Sequence, residues 1–203
     1  MSLLTVSNLR CVRGEQSLFD NISFALDSKQ CLHIRGTNGS GKTSLLRMLA
    51  GLLKYQHGDI NWQSSSFSYL AHKDGLKNEL SAIENLRFYQ QLNLQTTATR
   101  RLLEDDLDHA LNELGLLHKA DSLVKNLSFG QRRRLAFTRL LLHESRVWIL
   151  DEPLTGVDTH GRQLIETHCL QHLKAGGSIL ISHHGDLSES CFSNYCIALD
   201  LKQ

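Results

Sequence analysis

The sequence predicts an α/β domain in which helices cover both faces of a mostly parallel sheet. Short apolar runs alternate with helical stretches in residues 1–72, and the same alternation returns in residues 146–203. Residues 73–145 carry mainly helical periodicity instead. We therefore expect a core formed by the two outer segments, with residues 73–145 inserted between them as a helical subdomain.

The composition is that of an ordinary globular protein. Of 203 residues, 41% are apolar and 21% are charged, which excludes disordered, collagen-like and fibrous classes. The net charge is +1, so no strong field favours a nucleic acid or an anionic membrane, and we expect no nucleic-acid partner. The chain has neither an apolar run of about 20 residues nor a signal-peptide pattern, so we expect it to remain in the cytosol.

The first third of the chain carries strand signals and one helix. Apolar and polar residues alternate at Ile22, Phe24 and Leu26, as in a half-buried strand. After a glycine-rich loop, residues 44–50 have a helical pattern that Gly51 ends. Further strands are predicted at residues 31–34, 59–62 and 67–70.

Helix signals dominate the middle of the chain. Residues 81–84 and 128–131 each fit a capping box, in which a serine and a Glu or Gln satisfy free amides at a helix start. The basic run at residues 132–134 is interpreted as a solvated helix face. Between the two boxes, one amphipathic helix is predicted from apolar residues at spacings of three and four: Leu103, Leu107, Ala110, Leu114 and Leu117.

The last quarter returns to alternation. Strands are predicted at residues 147–150, 178–182 and 195–199, with a helix at residues 162–173. The five cysteines of the chain include no C-x-x-C pair, and the eleven histidines no H-E-x-x-H pair. We interpret the cysteines as small buried apolar residues rather than as metal or redox groups.

A phosphate-binding loop is predicted between the strand at 31–34 and the helix at 44–50. The segment matches G-x-x-x-x-G-K-[ST], and its glycines let successive N–H groups point at phosphate oxygens. Its lysine supplies a cation for the outer phosphates, and its threonine hydroxyl can bind Mg²⁺. The nucleotide-binding residues are Gly36, Thr37, Asn38, Gly39, Ser40, Gly41, Lys42 and Thr43.

Two adjacent carboxylates follow the apolar strand at residues 147–150. In α/β folds, the carboxyl end of such a strand lies where ligands bind. Neighbouring strand residues point to opposite faces, which favours two different roles. We interpret Asp151 as a Mg²⁺ ligand, together with Thr43, and Glu152 as the general base that orients the attacking water.

A third motif, Leu127-Ser128-Phe129-Gly130-Gln131, precedes the acidic pair by about twenty residues. With the other two motifs it resembles the L-S-G-G-Q signature of the ATP-binding cassette (ABC) ATPases, with Phe129 in place of the first glycine. The resemblance implies a P-loop NTPase (RecA-like) core with an antiparallel β region and an inserted α-helical subdomain. It also implies an ATP hydrolase of the translocase class, with ATP and Mg²⁺ as cofactors.

Further site residues follow from the same resemblance. In a homodimer, Ser128, Gly130 and Gln131 would contact the nucleotide held by the second copy. Asp158 matches the last residue of the D-loop (residues 154–158), and His183 matches the switch histidine that contacts the γ-phosphate; His184 follows it directly.

Two positions depart from the family pattern: Lys73 stands at the Q-loop glutamine, and Arg13 at the aromatic residue that stacks on adenine. A guanidinium plane can also stack on a base.

Within the family, the chain resembles the ATPase subunits of bacterial cytochrome c maturation systems. The segments that carry this resemblance are residues 9–13, 17–19, 41–52 and 82–89. It implies a peripheral protein on the cytoplasmic face of the inner membrane, paired with a CcmB-like membrane subunit and with CcmC, CcmD and CcmE-like components. The cycle would export haem or release a haem-loaded chaperone. Alternatives are the ATPase of another small ABC exporter and a soluble ABC ATPase acting on ribosomes or DNA.

Overall fold

The computed structural model describes residues 2–14, 16–63, 66–96, 103–184, 187, 192 and 195–201. The strands are β1 (Ser2–Arg13), β2 (Gln16–Asp27), β3 (Cys31–Arg35), β4 (His57–Trp62), β5 (Phe67–Leu70), β6 (Val147–Asp151), β7 (Ser178–Ser182) and β8 (Cys196–Asp200). The helices are α1 (Lys42–Leu49), α2 (Ala82–Thr96), α3 (Glu104–Glu113), α4 (Phe129–Leu141) and α5 (Thr159–Lys174). Short 3₁₀ turns occupy Leu117–Lys119 and Val124–Asn126.

The strands form two sheets. The order β2-β1-β4 makes a three-stranded antiparallel sheet, and the order β5-β6-β7-β3-β8 makes a five-stranded parallel sheet. The fully buried strands β6 and β7 lie inside the parallel sheet, as continuous apolar runs require. This arrangement confirms the predicted fold class, including its antiparallel region.

The chain divides into two compact units. The first contains residues 1–72, 145–153 and 168–203, and the second contains residues 73–144 and 154–167. The sequence assigned residues 154–167 to the core, whereas the structure assigns them to the second unit. The reason is tertiary, because the loop before α5 packs on the first turn of α4 through Gly156 and Phe129.

The first unit has one apolar core, to which both sheets and α1 contribute. Four helix residues and several strand residues are fully or almost fully buried in it, among them Leu4, Val6, Leu9, Leu26, Ile34, Leu45, Leu46, Met48, Leu49, Ile149 and Leu180. Removing one of these large side chains costs about 2–5 kcal/mol in a packed core. The core therefore holds β3, α1, β6 and β7 firmly in the unit that carries the predicted phosphate-binding loop.

Both predicted capping boxes form in the second unit. Ser81 N–H donates to Glu84 Oε2 at 2.7 Å, and Glu84 N–H donates to the Ser81 hydroxyl at 3.3 Å. In the second box, Ser128 N–H donates to Gln131 Oε1 at 2.9 Å, and Gln131 N–H donates to the Ser128 hydroxyl at 3.2 Å. These local signals locate the starts of α2 and α4.

The predicted amphipathic helix over residues 103–117 is too long. Helix α3 ends at Glu113, because Gly115 adopts a left-handed conformation (φ +65°) that breaks the helical path. Leu103 and Leu117 are 63% and 42% exposed, so they lie outside the apolar stripe. The buried face of α3 consists of Leu107, Ala110 and Leu111.

The prediction of a solvated arginine face on α4 is also wrong. Arg133 is 1% exposed and Arg134 is 8% exposed. Arg133 pairs with Asp74, and Arg134 donates a hydrogen bond to the carbonyl of Leu114 at 2.8 Å. Partners from distant segments bind these two buried guanidinium groups, and a sequence pattern does not reveal such partners.

Two negative findings concern the described part of the chain. None of its helices combines the length and apolar character that a membrane crossing requires. Its four cysteines, Cys11, Cys31, Cys169 and Cys196, are free thiols, and three of them are buried. Cys191 lies outside the described residues.

Candidate functional site

The predicted phosphate-binding loop connects β3 to α1, and its glycines are required by space and conformation. Gly36, Gly39 and Gly41 have φ values of +152°, +87° and +98°. A Cβ on Gly36 would lie 2.3 Å from the Ser40 hydroxyl oxygen, and one on Gly41 would lie 2.9 Å from the Phe19 ring. Side chains at these positions would push the loop open, so the narrow cradle depends on glycine.

Lys42 points back into this cradle. Its Nζ donates to the carbonyls of Gly36 at 2.8 Å and Thr37 at 3.0 Å, and the residue is 7% exposed. Burial lowers the pKa of the Lys42 ammonium, while the nearby Glu152 and Asp151 carboxylates act in the opposite direction. The buried hydroxyl of Ser40 has no hydrogen-bond partner among the described residues. A cation and an unpartnered donor in one loop fit a phosphate group.

Asp151 ends β6 and is completely buried. Its Oδ1 accepts hydrogen bonds from the Ser182 hydroxyl at 2.8 Å and the Thr43 hydroxyl at 3.2 Å, although Thr43 and Asp151 are 108 positions apart in sequence. A hydroxyl and a carboxylate oxygen are the hard ligands that Mg²⁺ prefers. The residues present therefore fit the predicted metal.

Glu152 lies one residue beyond β6 and has a left-handed backbone (φ +54°). The strand-alternation argument for its direction is therefore wrong, because a turn aims the side chain. This conformation costs a non-glycine residue about 1 kcal/mol. Ser182 holds it: the Glu152 N–H donates to both the carbonyl and the hydroxyl of Ser182, each at 3.1 Å.

Two histidines lie beside the Glu152 carboxylate, which is 6% exposed. His183 Nδ1 is 3.5 Å from Oε2, and His184 Nε2 is 3.3 Å from Oε1. The sequence favoured His183 alone, and the structure brings both to the same acid. His33, which the sequence analysis did not single out, also contributes: its Nε2 lies 3.3 Å from the carbonyl of His183. His33 lies on β3, which pairs with β7 in the sheet, and this pairing between distant segments is not visible in the sequence.

The signature residues belong to the second unit. Ser128 caps α4, Gln131 completes the capping box, and Gly130 lies against the carbonyl of Gly156, where a Cβ would come within 2.8 Å. Asp158 caps the next helix, because its Oδ1 accepts a hydrogen bond from Gly161 N–H at 2.8 Å. A structural role for Asp158 is therefore visible beside the predicted D-loop role.

The structure gives little information on the roles predicted for Lys73 and Arg13. Lys73 is exposed and is the first residue of the second unit. Arg13 ends β1, but its side chain lies outside the described part of the structure.

An arginine clamp on Asp74 is the main feature that the sequence analysis missed. Arg133 Nη1 lies 3.0 Å from the Asp74 carboxylate, and Arg139 Nη2 donates to the Asp74 carbonyl at 2.7 Å. The Arg139 guanidinium also lies over the Tyr89 ring, 4.2 Å from its centroid, and the Tyr89 hydroxyl donates to the carbonyl of Gly75. Helices α2 and α4 thus hold the segment directly after Lys73.

The fold and the first unit's site together define a P-loop ATPase, in which a glycine loop, Lys42, Thr43 and Asp151 face one another across the ends of parallel strands. The family follows from a sequence model described as ABC transporter, which matches residues 19–155. This chain belongs to the ABC transporter family and is an ATP hydrolase.

Individual relatives have more specific names than the family model. The cytochrome c biogenesis ATP-binding export protein CcmA of Photobacterium profundum is 38% identical over 202 residues, which cover 91% of this chain and 94% of that protein. The protein of the same name from Nitrosomonas europaea is 38% identical over 210 residues, covering 98% and 96%. A solved ATP-binding protein of an ABC transporter from Pyrococcus furiosus has a TM-score of 0.81 at 21% identity, covering 98% of this chain and 96% of that one. That last similarity concerns the fold.

Proposed function

We propose that this chain is the ATP-hydrolysing subunit of an ABC exporter for cytochrome c biogenesis, serving haem export or the release of a haem-loaded chaperone. The observation that carries the proposal is the similarity, along nearly the whole chain, to relatives named as ATP-binding export proteins of this process. The geometry of the nucleotide site supports it, because Lys42, the Thr43–Asp151 pair and Glu152 all belong to the first unit.

In this proposal, the first unit forms the nucleotide-binding core and the second unit forms the helical subdomain. Backbone N–H groups of residues 36–43 surround the phosphates of ATP, and the positive end of α1 adds to the attraction. Lys42 exchanges its carbonyl partners for phosphate oxygens, and Arg13 stacks on the base. Thr43 and Asp151 hold Mg²⁺, which neutralises charge on the outer phosphates when bound.

Glu152 acts as the general base in this site. Its carboxylate accepts a proton from the attacking water, and His183 donates a hydrogen bond toward the γ-phosphate. The turn at Glu152 and the two hydrogen bonds from its N–H to Ser182 support this role, because they fix the direction of the carboxylate. His184 lies on the other carboxylate oxygen and helps to hold it in place.

The proposal includes a homodimer. In each of two composite sites, Ser128, Gly130 and Gln131 of one copy contact the ATP held by the other, and Asp158 lies at the interface. The positive end of the dipole of the 13-residue helix α4 supports an anion-binding role for this segment. Binding of two ATP closes the pair, and hydrolysis reopens it.

The membrane assembly is the last part of the proposal. The chain sits peripherally on the cytoplasmic face of the inner membrane, paired with a CcmB-like subunit and acting with CcmC, CcmD and CcmE-like components. The term export in the names of the relatives supports a membrane partner.

Co-purification tests this assembly against the soluble alternatives. The tagged chain, extracted from membranes in mild detergent, is expected to retain an integral membrane protein that reacts with antibody against CcmB. Co-sedimentation with ribosomes in place of membranes would contradict the proposal. A parallel extraction of an unrelated tagged cytosolic protein controls for non-specific capture.

Replacing Lys42 by Ala is expected to weaken ATP binding about 30-fold, since a hydrogen bond to a charged group contributes about 2 kcal/mol. Isothermal calorimetry on the purified chain measures the effect directly. Lys54→Ala, which removes an exposed lysine of the same unit, is the matched control and should bind ATP like the parent chain. Equal affinities of the Lys42→Ala protein and the parent would exclude the phosphate role of Lys42.

A further inference from the structure

Phe129, the residue that departs from the family signature, lies against the D-loop of its own chain. A Cβ on Gly156 would be 2.3 Å from Cδ1 and 2.5 Å from Cε1 of the Phe129 ring. The ring therefore occupies the space over Gly156 where a side chain would stand. Gly156 also has φ +69°, so both the ring and the backbone conformation require glycine there.

Two further contacts fix the same loop. Next to the ring, a Cβ on Gly130 would be 2.8 Å from the carbonyl oxygen of Gly156, so the backbones of the signature and the D-loop touch closely. At the end of the loop, the Asp158 carboxylate accepts a hydrogen bond from Gly161 N–H at 2.8 Å and so ties the loop to α5. The Phe129 ring fixes the middle of the D-loop at Gly156, and the hydrogen bond between Asp158 and Gly161 fixes its end.

We infer that Phe129 is a positioning residue that locks the D-loop onto the first turn of α4, so that both motifs meet a second copy of the chain as one preformed surface. The inference rests on the proposed homodimer. A glycine at position 129 would leave Gly156 without this contact. The ring also remains 48% exposed, so apolar surface is still available at the same place.

The expected consequence is a weaker closed dimer when the ring is removed. A free D-loop samples several conformations in the separate subunit, and ordering even one backbone residue on closure opposes association. We expect Phe129→Ala to weaken the ATP-bound dimer about tenfold. ATP binding to a single subunit should not change, because the phosphate-binding loop belongs to the first unit. Phe129→Leu keeps apolar bulk and should retain most of the dimer affinity.

The test is a double-mutant cycle between positions 129 and 156 in the Glu152→Gln protein. Sedimentation gives the dissociation constant of the ATP-bound dimer, calorimetry gives the ATP affinity, and urea unfolding gives stability. Gly156→Ala should lower dimer affinity and stability far more in the chain that keeps Phe129 than in the Phe129→Ala chain. The new Cβ at position 156 clashes with the Phe129 ring, and this clash is absent when the ring is removed. Gly51→Ala is the matched control for backbone conformation, since Gly51 has φ +70° and nothing within 4 Å of its added Cβ.

Three outcomes decide the inference. A selective loss of dimer affinity in Phe129→Ala, with coupling between positions 129 and 156, supports it. Unchanged dimer affinity, or additive effects of the two substitutions, overturns it. If the Glu152→Gln protein fails to dimerise with ATP, the homodimer proposal fails instead. Coupling between positions 129 and 156 in the urea experiment would then still support a D-loop that Phe129 locks in place. Additive effects on stability would refute the locked D-loop.

Discussion

Replacing Glu152 by Gln is expected to lower kcat for ATP hydrolysis about 1000-fold and to leave ATP bound in a stable dimer. A positioned general base contributes about 10²–10⁴-fold to such a reaction, and an amide cannot accept the proton. Glutamine has nearly the same shape as glutamate. The left-handed turn and the hydrogen bonds from the backbone N–H of residue 152 to Ser182 are independent of the side chain, so they should persist.

Light scattering with and without ATP measures the trapped dimer, and a phosphate-release assay measures kcat. Glu79→Gln removes an exposed carboxylate elsewhere and should hydrolyse ATP like the parent chain. A Glu152→Gln protein that remains monomeric with ATP and hydrolyses it at the normal rate would contradict both the base and the dimer.

Replacing Asp74 by Ala is expected to lower the free energy of unfolding by about 3 kcal/mol. Breaking a buried ion pair by removing one partner typically costs about 3–5 kcal/mol, because the other charge stays in a poorly solvated place. Here the other charge is Arg133, 1% exposed and 3.0 Å from the carboxylate of Asp74. The Arg139 contact to the main-chain carbonyl of residue 74 remains in the variant, which places the expected loss at the lower end of that range.

Urea unfolding followed by circular dichroism measures this effect. Asp20→Ala is the matched control, since Asp20 pairs with Arg10 at 3.4 Å on the surface, where both side chains are about half exposed. An exposed pair contributes less than about 1 kcal/mol. If the Asp74 and Asp20 variants lose equal stability, the clamp does not stabilise the segment after Lys73.

Short sequence motifs predicted most residues of the candidate site. The glycine loop at residues 36–43 and the two capping boxes are set by backbone conformation and by hydrogen bonds within four positions, so they can be read from adjacent residues. The strand before Asp151 was equally visible, since a buried strand is a continuous apolar run. These features required no knowledge of what packs beside them.

Other features depended on distant partners, and there the sequence misled. The arginines of α4 look solvent-exposed as a charge run, but Arg133 is buried and pairs with Asp74, 59 positions away. The length of α3 was overestimated because a periodic pattern continues past Gly115, where the backbone turns left-handed. Residues 154–167 belong to the second unit and contact it at several places, among them the contact between Gly156 and Phe129, which no periodicity encodes.

By itself the sequence determined the fold class, the glycine-rich loop at residues 36–43 and the position of the acidic pair, because residue patterns within short segments specify the helices, the strands and these two motifs. Only the tertiary structure decided the direction of the Glu152 carboxylate, the convergence of His183 and His184 on it, and the contacts of Phe129 and Asp74. The physical reason is that a side chain's direction and charge compensation depend on whichever atoms the fold brings within a few ångströms, and those atoms come from anywhere in the chain.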